Sequence, residues 1–135
     1  MELLPGYGQA HDWLSWTWSC LGRREEALRS ARRAVELEPL LLEAVSNLAI
    51  NLLANNCPDD ALLEARRVRE LAPGWPSGAF YEGLALYRLG RFDETCAVLQ
   101  GLVVEWVGSG PQGTLALACV GAGDATRARR VLGEL

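Results

Sequence analysis

The side chains able to do acid–base or nucleophilic chemistry are few in this 135-residue chain. His11 is the one histidine, and no serine or cysteine has a histidine and an acid in a recognisable arrangement around it. Neighbouring acids at Glu25 and Glu26, and at Asp59 and Asp60, suit the first turn of a helix, where negative charge is stabilised. They do not resemble the acid and base that a catalytic cleft holds. We therefore predict no catalytic residue and no enzyme activity in this chain.

The four cysteines indicate neither a metal site nor a redox motif. They lie far apart in the sequence, at Cys20, Cys57, Cys96 and Cys119. Zinc ligands need closely spaced pairs, and a redox motif needs two cysteines separated by two residues. We interpret the four as scattered, buried thiols of a reducing compartment, and we predict no metal ligand.

One motif suggests a cofactor. Residues 108–113, from Gly108 to Gly113, satisfy the pattern G-x-G-x-x-G. Between a strand and a helix, such a loop holds a pyrophosphate at the helix N-terminus. Residues 102–107 would have to be the strand, with Asp124 as the ribose-binding acid. No second strand follows, and the chain ends too soon for a doubly wound sheet. We predict no cofactor and retain nucleotide binding through this loop as an alternative.

The elements that must position any site recur along the chain. Adding 34 to Gly22 gives Asn56 and then Gly90, and a further step of 33 gives Gly123. Between these turn residues lie apolar patterns of helical period. On the second helix of successive units, small residues and a closing proline recur in register: Ala27, Ala31, Ala34 and Pro39, then Ala61, Ala65, Val68 and Pro73. A period of this length predicts a stacked array of helix pairs.

The residue types at these positions resemble the tetratricopeptide repeat. The leucine–small pair is matched by Leu14-Ser15, Leu48-Ala49, Gly83 and Leu115-Ala116, and the close helix contact by Ala27, Ala61 and Ala128. The pattern is broken at Glu82, Thr95 and Val107. The resemblance implies an all-α, right-handed α-solenoid of antiparallel helix pairs, with about four repeats over 8–41, 42–75, 76–108 and 109–135. Residues 1–7 match the end of a preceding repeat, so we expect a segment of a larger bacterial protein.

Charge and hydropathy limit the partners. The net charge is −4, from 17 acidic and 13 basic residues, so the chain lacks the broad basic field that binds nucleic acid. The N-terminus does not resemble a signal peptide. The most apolar stretch, residues 40–54, contains Glu43, Asn47 and Asn51 and is shorter than the roughly 20 residues of a membrane span. We expect a cytoplasmic protein that binds neither nucleic acid nor membrane.

The resemblance implies a binding site on the concave face, which the first helix of each pair lines. Carried onto this sequence, that face consists of Asp12, Trp16, Ser19, Ser46, Ile50, Leu53, Phe80, Leu84, Tyr87, Arg88, Leu117 and Val120. An exposed aromatic and aliphatic stripe is typical of a contact surface. We predict a peptide or helix of a protein partner here, anchored by Trp16, Phe80, Leu84 and Tyr87 and oriented by Asp12 and Arg88. Two alternatives remain, packing against another part of a parent protein and homo-oligomerisation.

One binding mode of the family is argued against by the residue types. Its chaperone-tail binders hold a C-terminal carboxylate with lysine, asparagine and arginine side chains. Only Asn47 matches, while Asp12, Ser77 and Tyr81 stand where cations are expected. Without cations the charge-assisted hydrogen bonds to a carboxylate are lost. We therefore predict that this face does not bind a carboxylate terminus.

Overall fold

A computed structural model describes residues 7–105, 117–119 and 121–133 of the chain. Within these ranges it contains helices and turns and no strand. The helices are α1 (Gly8–Cys20), α2 (Arg24–Leu37), α3 (Leu42–Ala54), α4 (Pro58–Leu71), α5 (Pro76–Arg88), α6 (Phe92–Glu105) and α7 (Ala125–Gly133). Residues 117–119 are also helical. The predicted all-α class is confirmed.

The turns fall at the predicted repeat positions. Among the described residues, positive φ occurs at Gly22 (74°), Asn56 (59°), Gly90 (76°) and Gly123 (83°). This left-handed conformation ends a helix and lets the N–H of the residue itself and that of the next residue donate to helix carbonyls. After Gly90, for example, the Arg91 N–H donates to a helix carbonyl at 2.9 Å. The repeat found in the sequence therefore corresponds to helix ends that recur every 33 or 34 residues.

Replacing Gly90 by alanine is expected to destabilise the chain by about 1–2 kcal/mol, the cost of a left-handed backbone for a residue with a Cβ. A Cβ built there meets no atom within 4 Å, so the backbone strain is measured alone. Gly74→Ala is the matched control, because its Cβ also meets nothing and its φ is not positive. Urea unfolding of both variants checks this; equal losses of stability would contradict it.

Small residues let the two helices of each pair approach closely. Ala27, Ala31, Ala61 and Ala65 are each 0% exposed. Ser15 on α1 donates from its Oγ to the carbonyl oxygen of Ala27 on α2 at 2.7 Å. The alanines at these positions are thus required by interhelical distance.

The helices stack in two layers. Each helix from α1 to α6 packs against the next along the chain, and α1 contacts α3 as α3 contacts α5. Among the described helices, α2 makes no comparable contact with α4. The first helices of successive pairs therefore lie side by side in one continuous layer, which forms the concave face of the right-handed solenoid.

The core is divided into two clusters. The larger one runs through α2 to α5 and includes Val45, Leu52, Val68 and Leu86. The second joins α6 to residues 117–119 and to α7, with Leu99 fully buried. In the part of the chain that the structure describes, no helix is long and apolar enough to span a membrane.

The second cluster corrects the interpretation of the cysteines as scattered. The Sγ atoms of Cys96 and Cys119, both buried, lie 3.6 Å apart, while Cys20 is exposed and Cys57 partly so. Burial and the neighbouring thiol raise the pKa of Cys96 to about 11. Cys96 is therefore a neutral packing thiol at physiological pH. No group of His, Cys, Asp or Glu side chains among the described residues is arranged to hold a metal ion.

Candidate functional site: the concave groove

Two adjoining depressions lie on the layer of first helices. The first, of about 280 Å³, is the acidic cleft; its walls include Asp12, Trp13, Trp16, Glu43, Trp75 and Tyr81. The second, of about 250 Å³, is the apolar cleft, lined by Ile50, Leu53, Ala54, Tyr81, Leu84 and Arg88. Both share Ile50 and Tyr81. They therefore form one groove that crosses α1, α3 and α5.

Nine residues of the predicted concave face are expected to contact the partner: Asp12, Trp16, Ile50, Leu53, Phe80, Leu84, Tyr87, Arg88 and Leu117. Six of these nine line the groove. They are Asp12, Trp16 and Ile50 in the acidic cleft, and Ile50, Leu53, Leu84 and Arg88 in the apolar cleft. Of the wider face, Ser46 also lines the acidic cleft. Leu117 is 56% exposed and lies in neither cleft. Val120 and residues 108–113 are outside the described residues.

Phe80 and Tyr87, expected as anchors, lie elsewhere. Both pack against the second core cluster, and the Tyr87 ring is 5.6 Å from the ring of Phe92 between centroids. Repeat register places them on the first helix of the third pair, but it carries no information on how far the following helices cover that pair. The apolar side chains that line the groove and could anchor a partner therefore include Trp16, Ile50 and Leu84.

A polar network joins α1 to α3 beneath the acidic cleft. Asn47 Nδ2 donates to Asp12 Oδ1 at 2.8 Å, and Asn51 Nδ2 donates to Asn47 Oδ1 at 2.8 Å. Ser19 Oγ donates to Asn51 Oδ1 at 3.2 Å, and Asn55 Nδ2 to the Arg24 carbonyl at 3.1 Å. Buried amides need such partners. The sequence signal for this network is the spacing of Asn47, Asn51 and Asn55, four residues apart along and just after the largely apolar α3.

Asp12 is a buried carboxylate, 4% exposed. Burial raises its pKa above the ordinary value, the hydrogen bond from Asn47 lowers it, and the charge of Glu43 raises it again. Burial also raises the pKa of Tyr81, against a hydrogen bond with Ser77. Tyr81 therefore stays a neutral hydroxyl, and the negative charge of the cleft comes from Asp12 and Glu43.

Besides Trp16, the acidic cleft contains three aromatic residues that the prediction of the concave face does not include: Trp13, Trp75 and Tyr81. Trp13 is 57% exposed and Trp16 is 48% exposed, and Trp75 and Tyr81 complete the aromatic walls. Trp75 precedes α5 and reaches the groove from the turn after α4, where repeat spacing alone gave no reason to expect it.

Arg88 closes the far end of the apolar cleft. Its Nη1 donates to the Leu53 carbonyl oxygen at 3.0 Å, which ties α5 to α3. The guanidinium keeps further donors for another partner, because arginine has five. The groove therefore has carboxylates at one end and a cation at the other.

The structure contradicts the strand that nucleotide binding through residues 108–113 requires. Residues 102–105, which it requires to be extended, belong to α6. A phosphate loop of this class needs a strand directly before it. The loop itself lies outside the described residues.

Comparison with known proteins agrees with the fold. A segment of 68 residues is 41% identical to Protein STIP1 homolog of Dictyostelium discoideum; it covers 50% of this chain, and the chain spans 12% of that relative. A crystal structure of MamA protein has a TM-score of 0.85 over 96% of this chain and 71% of that one, at 18% identity. TTC0263, a thermophilic TPR protein of Thermus thermophilus, gives 0.80 over 93% and 71%, at 21% identity. No protein-family model matches the chain.

At such identities the solved structures establish the fold, and the repeat register agrees with them. The chain is a helical solenoid of the tetratricopeptide-repeat type.

Proposed function

We propose that this chain is a non-catalytic interaction module that binds a peptide or helix of a protein partner in its concave groove. The observation that carries the proposal is the continuity of the two clefts through Ile50 and Tyr81. A single extended or helical segment fits such a groove better than a small molecule does, because small-molecule sites enclose their ligand.

The exposure of the groove residues supports this role. Trp16 is a large aromatic side chain left half exposed on the concave face, beside the partly exposed Ile50 and Leu84. Water on such a surface is released when a partner's apolar side chain covers it. Binding energy at interfaces concentrates on a few such residues, with aromatic side chains prominent among them.

A random dodecapeptide library displayed on phage, panned against the immobilised chain, tests the proposal. We expect enriched peptides whose synthetic versions bind the wild-type chain. Ile50→Asp should weaken binding at least about thirtyfold, because it places a charge in the apolar cleft. The matched control is Leu63→Asp on α4, whose side chain is 65% exposed and outside both clefts.

Control measurements separate binding from folding and from self-association. Circular dichroism should show equal helical content for both variants, and Leu63→Asp should bind within about twofold of wild type. If no peptide is enriched over a blank surface, or if Ile50→Asp binds as well as wild type, the groove proposal is wrong. Light scattering across a concentration series gives the homo-oligomer alternative its own test, since a dimer that Ile50→Asp dissociates would mean that the groove is filled by a second copy.

A further inference from the structure

The geometry points to a cation as the group that occupies the acidic cleft: a lysine or arginine side chain of the bound segment. This inference deepens the proposed groove function and rests on it. The cleft combines the two features that recognise an organic cation, aromatic rings and carboxylates.

The aromatic walls come from three separate parts of the chain. Trp13 and Trp16 belong to α1, Trp75 to the turn before α5, and Tyr81 to α5 itself. Indole faces attract ammonium and guanidinium groups more strongly than other aromatic rings do. The cleft volume of about 280 Å³ also accommodates the aliphatic stem of a long cationic side chain.

The polar lining includes acceptors for a cation's N–H donors. Asp12 Oδ1 already accepts from Asn47, and the carboxylate has capacity for further bonds. Glu43 is exposed at the edge of the same cleft. Ser46, 6% exposed, lines the cleft too, and its buried Oγ has no hydrogen-bond partner. A donor from the occupant would supply the hydrogen bond that this hydroxyl lacks.

The charge balance selects against other occupants. No arginine or histidine is among the lining residues of the acidic cleft. An anionic group would therefore meet two carboxylates without a counter-charge, and a neutral apolar side chain would leave the Asp12 carboxylate without a counter-charge and the Ser46 hydroxyl without a partner. A cation at this end and Arg88 at the far end give the groove a direction. The bound segment is expected to carry its basic residue over α1 and α3, and its apolar residues over α3 and α5.

The experiment extends the same phage selection. Peptides selected by the wild-type chain are expected to share a lysine or arginine at one position. Replacing that residue by norleucine, which keeps the aliphatic stem, should weaken binding about tenfold or more. Glu43→Gln and Asp12→Asn should each weaken binding of the basic peptide and leave its norleucine version nearly unchanged. Glu70→Gln on α4 is the control with the same charge change outside the groove.

Glu43→Gln keeps the test valid should Asp12→Asn disturb the buried network, because Glu43 is exposed. The cation inference is wrong, while the groove function stands, if the enriched peptides share no basic residue. The same conclusion follows if their affinity is unchanged by both Glu43→Gln and Asp12→Asn. If Glu70→Gln weakens binding as much as Glu43→Gln does, the effect is general electrostatics and the cleft has no special role. If no peptide is enriched at all, the groove function itself fails.

Discussion

Replacing Asn47 by leucine is expected to lower the free energy of unfolding by about 3 kcal/mol, even though it adds an apolar side chain to a buried position. Asn47 is 1% exposed and is the donor that stabilises the buried Asp12 carboxylate. The leucine variant leaves that carboxylate buried with one partner fewer, and Asn51 loses its bond to Asn47 Oδ1. Urea unfolding at neutral pH measures the loss.

The pH dependence identifies the cause. Burial holds the folded-state pKa of Asp12 above its ordinary value of 3.8, and the Asn47 hydrogen bond opposes that rise. In Asn47→Leu the pKa should rise further, so the ionised form destabilises the fold more at neutral pH. Below about pH 3.8 the carboxyl is protonated in both folded and unfolded chains, and its penalty disappears. The difference between variant and wild type should therefore shrink as the pH is lowered from 7 towards 4.

Two further variants test the same explanation. Ser46→Ala removes a neighbouring buried hydroxyl that has no partner, so it should change stability by less than about 0.5 kcal/mol. The double variant Asp12→Leu with Asn47→Leu removes both ends of the bond and should recover much of the lost stability. A pH-independent loss, with no recovery in the double variant, would mean that Asn47 acts through packing alone.

The repeat register was predictable from sequence because it is set by local chemistry. A left-handed turn needs glycine or asparagine, and the positive φ angles fall at Gly22, Asn56, Gly90 and Gly123. A close pair of helices needs small residues, and these are the fully buried alanines of α2 and α4. Each requirement is met within one helix pair. Residue type and spacing were therefore sufficient to predict the helices, their order and the concave layer.

The contact between the two helices of the third pair was not predictable position by position, because it depends on compensating residues on two different helices. Gly83 shows how such compensation works. A Cβ on Gly83 would lie 2.5 Å from Leu99 Cδ2, so the glycine is required by a leucine on the next helix. At the equivalent positions one repeat earlier, the pair is Ala49 with Ala65, both 0% exposed. Compared with the alanine pair, the third repeat has a smaller residue on its first helix and a larger one on its second. A pattern that treats each position separately cannot predict such a paired change.

The groove was predicted in outline and missed in detail for the same reason. Helix phase identified Asp12, Trp16, Ile50, Leu53, Leu84 and Arg88, since these share one face of the first helices. Phase could not show that Phe80 and Tyr87 pack against the second core cluster, or that Trp75 reaches the acidic cleft from a turn. The polar network below the cleft depends on bonds from α3 to α1, across some 35 residues. Only the packed structure brings those partners together.

Removing Arg66 and Arg69 together is expected to lower the free energy of unfolding by about 3 kcal/mol, because it leaves a buried carboxylate unpaired. Glu82 on α5 stands where the repeat pattern has leucine, and it is 5% exposed. Arg66 Nε pairs with its Oε1 at 3.2 Å, and Arg69 pairs with its Oε2. Both arginines belong to α4, so the pairing joins the second helix pair to the third.

Replacing Arg66, Arg69 and Glu82 together separates the contribution of charge to stability from the contribution of packing. In the background without the two arginines, Glu82→Leu restores the residue type of Leu14 and Leu48 and removes the buried charge. We expect this triple variant to regain most of the wild-type stability, since apolar replacements of buried ion pairs are often neutral or stabilising.

Arg33→Ala with Arg91→Ala, which breaks two exposed ion pairs, should cost less than about 1 kcal/mol in total. If the exposed double variant lost as much as the Arg66 and Arg69 variant, burial of Glu82 would not be the cause. If the triple variant were no more stable than the double, the arginines would stabilise α4 and α5 through their aliphatic stems and not through charge.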